Sequence, residues 1–244
     1  MKFESTFELK AETLPIDYRC CILSFIKKCL STANEGKYFD DYYGPAKDKP
    51  FCFSVVFGNP TFTKDSITVH EKRMKLIIST ADTRTGFILF SAVAAYKGKQ
   101  FNLPCENSMR LMRIRQLNEQ TVTGNSILIK MLEPLCIRSH NRDNNRDWYY
   151  SCKQKDDFER EASNVIKNQL LQAGFSEDTS IVKITPINAK TIVVKHYSIN
   201  IECSIGEFML HGDRKALDYL LKSGMGSRKS SGFGVAQLIA VVDE

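Results

Sequence analysis

The sequence predicts an α+β protein that consists of two successive units, each with the element order β-α-β-β-α-β. Alternating apolar residues mark the strands, apolar residues at three- and four-residue steps mark the helices, and the order occurs twice. A composition of 43% hydrophobic and 25% charged residues, with 7 prolines and 13 glycines, favours a packed globular protein over collagen-like, coiled-coil or disordered classes. The order predicts two tandem ferredoxin-like domains followed by a glycine-rich loop near the C-terminus.

The first predicted domain covers residues 1–118. Residues 1–9 alternate as a strand, and a helix is predicted to open at Leu14–Pro15 and to end near Gly36. A polar, tyrosine-rich connector over residues 37–50 follows this helix. The remaining predicted elements are strands at 51–57 and 67–79, the latter broken by a turn at 71–73, a helix at 83–97 and a strand at 109–115.

The second predicted domain covers residues 125–244, beyond a polar boundary near residues 116–126. Residues 156–173 are the clearest helix, because Phe158, Ala162, Ile166 and Leu170 form one apolar stripe. Gly174 is placed to cap that helix. The other predicted elements are strands at 126–132, 181–185, 191–195, 198–205 and 235–242, and a short helix at 214–221.

Hydropathy, charge and cysteine spacing argue against a membrane-bound, secreted or zinc-binding protein. The longest nearly apolar run, residues 86–96, is much shorter than the roughly 20 residues that span a bilayer, so we expect no membrane association. Glu4 and Glu8 lie where a secretory signal is uncharged, and the eight cysteines contain no C-x-x-C pair. We therefore expect a cytoplasmic protein with reduced cysteines, no metal site and no cofactor. The formal charge of +6 only slightly favours a polyanionic partner.

The most informative segment is residues 223–234, SGMGSRKSSGFG, between a predicted helix and a strand. Glycines let backbone N–H groups approach phosphate oxygens, serines add hydroxyl donors, and the cations add charge. The segment is neither a Walker A loop nor a dinucleotide fingerprint, because Lys229 follows Arg228 and the segment opens a strand. The same glycines would also suit a tight connection. The predicted RNA-binding residues are Lys222, Gly224, Gly226, Ser227, Arg228, Lys229, Ser230, Ser231, Gly232 and Gly234.

Residues 224–234 resemble the C-terminal glycine-rich loop of the CRISPR-associated endoribonucleases that process repeat RNA, members of the repeat-associated mysterious protein (RAMP) superfamily. Gly206-Glu207-Phe208 with Gly212-Asp213 is similar to the segment before that family's last helix. Glu133-Pro134-Leu135 is similar to a strand-end motif in the second half of that family. The resemblance covers essentially the whole chain, although RNA-coating relatives without nuclease activity also carry glycine loops.

The resemblance implies metal-independent cleavage of precursor transcripts within CRISPR repeats, which yields guide RNAs. The 2′-hydroxyl of the RNA attacks the adjacent phosphate and leaves a 2′,3′-cyclic phosphate and a 5′-hydroxyl. That reaction needs a proton acceptor, a proton donor and positive charge around the phosphate. The implied partner is CRISPR repeat RNA, and the chain is expected as a monomer or homodimer. The alternative is a non-catalytic RNA-binding subunit that associates with other effector subunits.

Many members of this family place a histidine just after the first helix, whereas the connector in this chain has none. The connector offers Tyr38, Tyr42 and Tyr43, of which Tyr42 and Tyr43 are the preferred catalytic pair. Because the ordinary pKa of tyrosine is about 10, a tyrosine base would need a nearby cation. The same tyrosines would also suit packing against a sheet or stacking on bases.

Two further regions leave alternatives open. His140, near Arg146 and Asp147, suits an RNA contact, but a solvated loop with local salt bridges is the favoured interpretation. The arginines at 110, 113 and 115 suit either a phosphate-tracking face or an ordinary exposed sheet face.

Overall fold

A computed structural model describes residues 1–44, 49–141 and 145–242. The first unit has five antiparallel strands in the order β3-β6-β1-β8-β7 and a small sheet in the order β2-β5-β4. Its elements are β1 (Lys2–Leu9), β2 (Thr13–Pro15), α1 (Tyr18–Thr32), α2 (Phe39–Tyr43), β3 (Cys52–Phe57), β4 (Pro60–Phe62), β5 (Ser66–Val69), β6 (Arg73–Ser79), α3 (Thr83–Ala94), β7 (Gln100–Leu103) and β8 (Asn107–Leu117).

The second unit has four antiparallel strands in the order β12-β13-β9-β14 and a separate hairpin, β10-β11. Its elements are β9 (Ser126–Met131), β10 (Ile137–Asn141), β11 (Arg146–Tyr150), α4 (Lys155–Gln172), β12 (Val182–His196), β13 (Ile199–Gly212), α5 (Arg214–Ser223) and β14 (Ala236–Val241). Both main sheets place their β-α-β-β-α-β strands in the order second, third, first, fourth. The predicted fold of two ferredoxin-like units is confirmed. That residues 1–118 and 125–244 are independent domains stays a prediction.

Local sequence explains why the helices form where they do. In α3 and α5 the first turn is capped, because the carboxylates of Asp82 and Asp213 accept hydrogen bonds from backbone N–H groups two and three residues later. The apolar stripe predicted for α4 is buried, and Phe158 packs 6.1 Å from Phe208 between ring centroids. Gly174 has a φ of +92° just beyond α4, as its predicted capping position requires.

The first unit buries one face of its main sheet under α1 and α3. Phe7 of β1 meets Phe25 of α1 edge to face at 5.2 Å, and Phe3 meets Phe90 of α3 at 5.4 Å. The opposite face carries the arginines of β8, and two of these form ion pairs with glutamates of β1: Arg110 with Glu8 at 2.8 Å and Arg115 with Glu4 at 3.0 Å.

Several predicted boundaries were wrong. Helix α1 begins at Tyr18 rather than at Leu14–Pro15, because residues 13–15 form the edge strand β2. The strands predicted at 181–185 and 191–195 are one strand, β12. A bulge between Pro186 and Asn188 accommodates the missing N–H of the proline on this edge strand. The predicted loop around His140 is a hairpin.

The two units meet at a seam around a buried ion pair. Arg19 of α1 donates from Nη2 to Glu133 at 2.5 Å, and the two residues are 6% and 5% exposed. The Arg19 Nε also donates to the carbonyl of Gly232 at 2.8 Å, and Glu133 accepts from the backbone N–H of Val55 in β3 at 3.0 Å. This arrangement links α1, β3, the end of β9 and the glycine-rich segment.

Within the described residues, no helix is both long enough and apolar enough to cross a membrane. The eight cysteines are all free thiols, and Cys105 is the exposed one.

Candidate nucleic-acid interface

The glycine-rich segment packs at the seam against β3 of the first unit. A Cβ atom on Gly232 would lie 2.7 Å from the Phe53 ring, and one on Gly224 would lie 2.6 Å from Cβ of Cys52. Both glycines have positive φ angles, near +80°. Close packing and left-handed backbone together require glycine at both positions. Seam packing therefore accounts for these two glycines without a ligand.

Internal hydrogen bonds fix the rest of the segment. The buried Gln169 side chain of α4 donates to the carbonyl of Gly224 at 2.7 Å and accepts from the N–H of Gly226 at 3.1 Å. The N–H of Gly234 donates to the carbonyl of Pro134 at 2.8 Å. The half-buried Ser230 and Ser231 belong to a single 3₁₀ turn. These bonds occupy several of the backbone groups that the sequence predicts to bind phosphate.

The predicted cations of this region have different surroundings. Lys229 is 2% exposed, and its ammonium donates to the carbonyl of Lys49 across the seam. Lys222 forms an ion pair with Asp218 at 2.6 Å. Arg228 extends toward the hairpin instead; its side chain is 23% exposed and donates from Nη2 to the hydroxyl of Tyr149 at 3.1 Å. Arg228 is therefore the cation of the segment that reaches the surface near the hairpin.

The β10-β11 hairpin presents a polar cluster next to Arg228. The hairpin register pairs Arg138 with Tyr149 and His140 with Asp147, so these four side chains share one face. Ser227 links the glycine-rich segment to the hairpin, because its Oγ accepts a hydrogen bond from the N–H of Arg138 at 3.2 Å.

Asp147 is the acceptor at the centre of this cluster. It accepts from Nδ1 of His140 at 2.8 Å, from Arg138 at 3.2 Å and from the Tyr149 hydroxyl at 3.3 Å, and it lies 3.7 Å from Arg228. Partial burial alone would raise the pKa of Asp147, but the hydrogen bonds from His140 and Arg138 outweigh burial and lower it. The carboxylate is therefore ionised at neutral pH.

The three connector tyrosines turn toward the first core. The buried Tyr42 donates its hydroxyl to Thr85 at 3.0 Å, and burial raises its pKa. The hydroxyl of Tyr43 is buried without a hydrogen-bond partner among the described residues, and burial raises its pKa well above the usual range. Tyr38 is half-buried against the same core. Burial favours the neutral form of Tyr42 and Tyr43, which opposes a role as a base.

The ring of Tyr43 nevertheless borders the seam. The ammonium groups of Lys27 and Lys49 lie 5.1 and 5.2 Å from its centroid. Tyr197, in the turn between β12 and β13, is 55% exposed, and its backbone N–H donates to Asp17 at the start of α1 at 2.7 Å. We call the surface formed by Tyr43, Tyr197, Arg228, Tyr149 and His140 the seam surface.

Below the seam surface, Asp17, Cys20 and His196 form a hydrogen-bonding cluster. Within the described ranges, this is the one group of three potential metal ligands within reach of one another. The Cys20 thiol donates to Asp17 at 3.1 Å, and burial raises its pKa to about 12, so the thiolate is disfavoured. Asp17 also accepts from the backbone N–H of Tyr197 at 2.7 Å and lies 3.4 Å from Nδ1 of the buried His196. The cluster ties the start of α1 to the β12-β13 turn.

Sequence reasoning missed several of the residues that build this interface. Arg19 and Tyr197 belong to no recognisable sequence motif, and Glu133 belongs only to the strand-end motif. Alternation in Arg138–Ser139–His140 and in Asp147–Trp148–Tyr149 was the available signal for a hairpin with one polar face.

Comparison with known proteins identifies the family. The family model for the C-terminal part of CRISPR-associated protein Cas6 matches residues 117–238, which is half of the chain and includes the whole glycine-rich segment. No curated protein matches the sequence.

Three solved structures illustrate the likeness of fold, each with 98% of this chain covered. A RAMP protein described as binding different RNA substrates has 18% identity and a TM-score of 0.82 over 100% of its chain. A Cas6-related protein from Pyrococcus furiosus has 15% identity and a TM-score of 0.83 over 98% of its chain. A Cas6 product complex has 16% identity and a TM-score of 0.66 over 100% of its chain. With the family match, these results establish that the chain belongs to the CRISPR-associated Cas6 family.

Proposed function

We propose that this protein binds CRISPR repeat RNA at the seam surface and cleaves precursor transcripts within the repeat to give guide RNAs. The observation that carries the proposal is the placement of Arg228. The seam fixes the backbone of the glycine-rich segment, and Arg228 projects from it to the hairpin cluster. A structurally similar Cas6 has been solved as a product complex, which supports an RNA-processing role for this fold.

The seam surface offers two kinds of contact to RNA. The guanidinium groups of Arg138 and Arg228 suit phosphate oxygens, and both are partly exposed. The ring of Tyr197 is available for base stacking, and the exposed Trp148 lies on the other face of the hairpin. Since Asp147 balances part of the charge, stacking is expected to contribute alongside phosphate contacts.

The proposed chemistry is attack of the 2′-hydroxyl on the adjacent phosphate, without a resident metal ion, to give a 2′,3′-cyclic phosphate and a 5′-hydroxyl. The nucleophile belongs to the RNA, so the protein must hold the linkage in line, accept a proton and stabilise negative charge. Arg138 and Arg228 would supply the charge stabilisation.

A second candidate function is RNA binding without cleavage, as a subunit of a CRISPR effector complex. The specific observation in its favour is the position of the connector tyrosines, since the hydroxyls of Tyr42 and Tyr43 are buried. The two candidate functions differ in whether the protein cleaves RNA, so a cleavage assay separates them.

Purified protein incubated with the repeat RNA of the source genome in EDTA should cut each repeat once. The upstream product should carry a cyclic phosphate, and the single-turnover rate should be unchanged when Mg²⁺ replaces EDTA. Tight binding without a product in either condition would favour the binding subunit. Cleavage that requires Mg²⁺ would contradict the metal-independent mechanism.

Replacing Arg228 with alanine should weaken repeat-RNA binding and reduce the slope of log K against log salt concentration by about 1, because one phosphate contact is lost. Lys97→Ala is the matched control, since Lys97 is an exposed cation beyond α3. Fluorescence anisotropy at four or more salt concentrations gives both slopes. Equal slopes for Arg228→Ala and the wild type would discard the assignment of Arg228 to the interface.

Tyr42→Phe should lower the free energy of unfolding by about 1 kcal/mol, because a buried hydrogen bond to Thr85 is lost, and should leave the cleavage rate unchanged. Tyr43→Phe should raise the free energy of unfolding by about 1 kcal/mol, because its buried hydroxyl has no hydrogen-bond partner among the described residues, and should leave the cleavage rate unchanged. Urea unfolding and single-turnover cleavage measure the two effects. A variant that cleaves at least tenfold more slowly with unchanged stability would assign that hydroxyl to catalysis.

A further inference from the structure

We propose that His140 of the β10-β11 hairpin is the general base of the cleavage reaction and that Asp147 is its positioning residue. This inference rests on the proposed function and adds a catalytic residue to it. The first step is geometric. Nδ1 of His140 lies 2.8 Å from Asp147 Oδ1, which is hydrogen-bond distance, and the two side chains are 40% and 26% exposed.

The hydrogen bond to Asp147 selects the tautomer of the imidazole. An ionised carboxylate can only accept, so the proton of a neutral His140 lies on Nδ1 and the lone pair on Nε2. Nε2 has no hydrogen bond within the described part of the chain, and the ring is partly exposed to solvent. A carboxylate that orients an imidazole in this way leaves Nε2 ready to take a proton from a substrate.

The surrounding charges suit phosphate chemistry. Arg138 and Arg228 both approach Asp147, at 3.2 and 3.7 Å, so two guanidinium groups lie at the carboxylate that orients the imidazole. Tyr149 links them, because its hydroxyl donates to Asp147 and accepts from Arg228. The proposed mechanism requires that a phosphate held by these arginines bring its adjacent 2′-hydroxyl to Nε2.

The proton and electron balance of the step is complete. Nε2 of neutral His140 takes the proton of the 2′-hydroxyl as the 2′-oxygen forms a bond to phosphorus. The bond from phosphorus to the 5′-oxygen breaks, and the departing oxygen takes a proton from water. The imidazolium then returns its proton to the resulting hydroxide, so no proton is gained or lost.

The other three histidines lack this combination of exposure and environment. His196 is fully buried at the seam. His211 is exposed, but its Nδ1 lies 2.8 Å from the hydroxyl of Ser126 on β9. His70 is exposed, 4.0 Å from Glu12 and 3.0 Å from Thr61, but it follows β5 in the small sheet of the first unit. His70 therefore serves as a matched control for His140.

The decisive experiment compares His140→Gln with His70→Gln in single-turnover cleavage of repeat RNA, with affinity measured in parallel. We expect His140→Gln to cleave about 10²- to 10⁴-fold more slowly, with an RNA dissociation constant unchanged within about threefold, and His70→Gln to match the wild type. His140→Gln cleaving at the wild-type rate would overturn the role of His140 and leave the proposed function intact. A wild-type protein that binds repeat RNA without cutting it would overturn both.

Two further variants distinguish chemistry from structure. His140→Ala should regain part of its cleavage rate when free imidazole is added, which a structural role would not produce. Asp147→Asn should lower the maximal cleavage rate without weakening RNA binding, because the amide no longer fixes the tautomer. A His140→Ala variant that imidazole does not rescue, or an Asp147→Asn variant that loses affinity instead of rate, would contradict the assignment. Thermal unfolding of each variant verifies that the hairpin substitutions leave the fold intact.

Discussion

The buried ion pair between Arg19 and Glu133 joins the two units and fixes the geometry of the seam. Two charges removed from water are costly unless each is fully paired. The Arg19 guanidinium donates to Glu133 and to the carbonyl of Gly232, and it lies 5.1 Å from the centroid of the Phe233 ring. The second carboxylate oxygen of Glu133 accepts a hydrogen bond from the N–H of Val55. Burial raises the pKa of Glu133 even though Arg19 acts in the opposite direction. The hydrogen bonds of the network offset this cost of removing the carboxylate from water.

The pair explains why the glycine-rich segment has its particular conformation. Arg19 can reach the carbonyl of Gly232 only if the backbone passes close to β3, and the absence of a side chain at Gly232 leaves room for the Phe53 ring. The same conformation directs Lys229 into the seam and Arg228 toward the hairpin. One packing requirement thus makes Lys229 a buried residue and the adjacent Arg228 a partly exposed one. The proposed RNA contacts follow from that separation.

The sequence was sufficient for features that depend on local periodicity. The stripe of α4, the capping glycine after it and the order of elements in both units follow from spacing and turn chemistry. The register of the β10-β11 hairpin was not recognised, because its alternating residues are polar on one face and its length is only five residues a strand. The predicted strands at 181–185 and 191–195 are continuous in β12, because an edge strand accommodates Pro186 with a bulge.

The seam could not be predicted because its contacts join residues far apart in the chain. Arg19 and Gly232 are separated by 213 positions, and Arg19 and Glu133 by 114. No periodic pattern relates such residues, and a lone arginine in a helix is usually a solvated surface residue. The sequence also could not distinguish two explanations for the glycines of residues 223–234, because a phosphate-binding loop and close packing against another unit both favour glycine.

Both units, joined by this ion pair, assemble the proposed RNA-binding surface. The most direct test is the repeat-RNA affinity of Glu133→Ala, measured where circular dichroism indicates that the variant is folded, beside Glu8→Ala, which removes an exposed carboxylate of the first sheet. Loss of a carboxylate alone should strengthen RNA binding. We expect the opposite for Glu133→Ala, weaker binding because the seam is loosened, and unchanged or tighter binding for Glu8→Ala. Unchanged or tighter binding by Glu133→Ala would contradict this expectation.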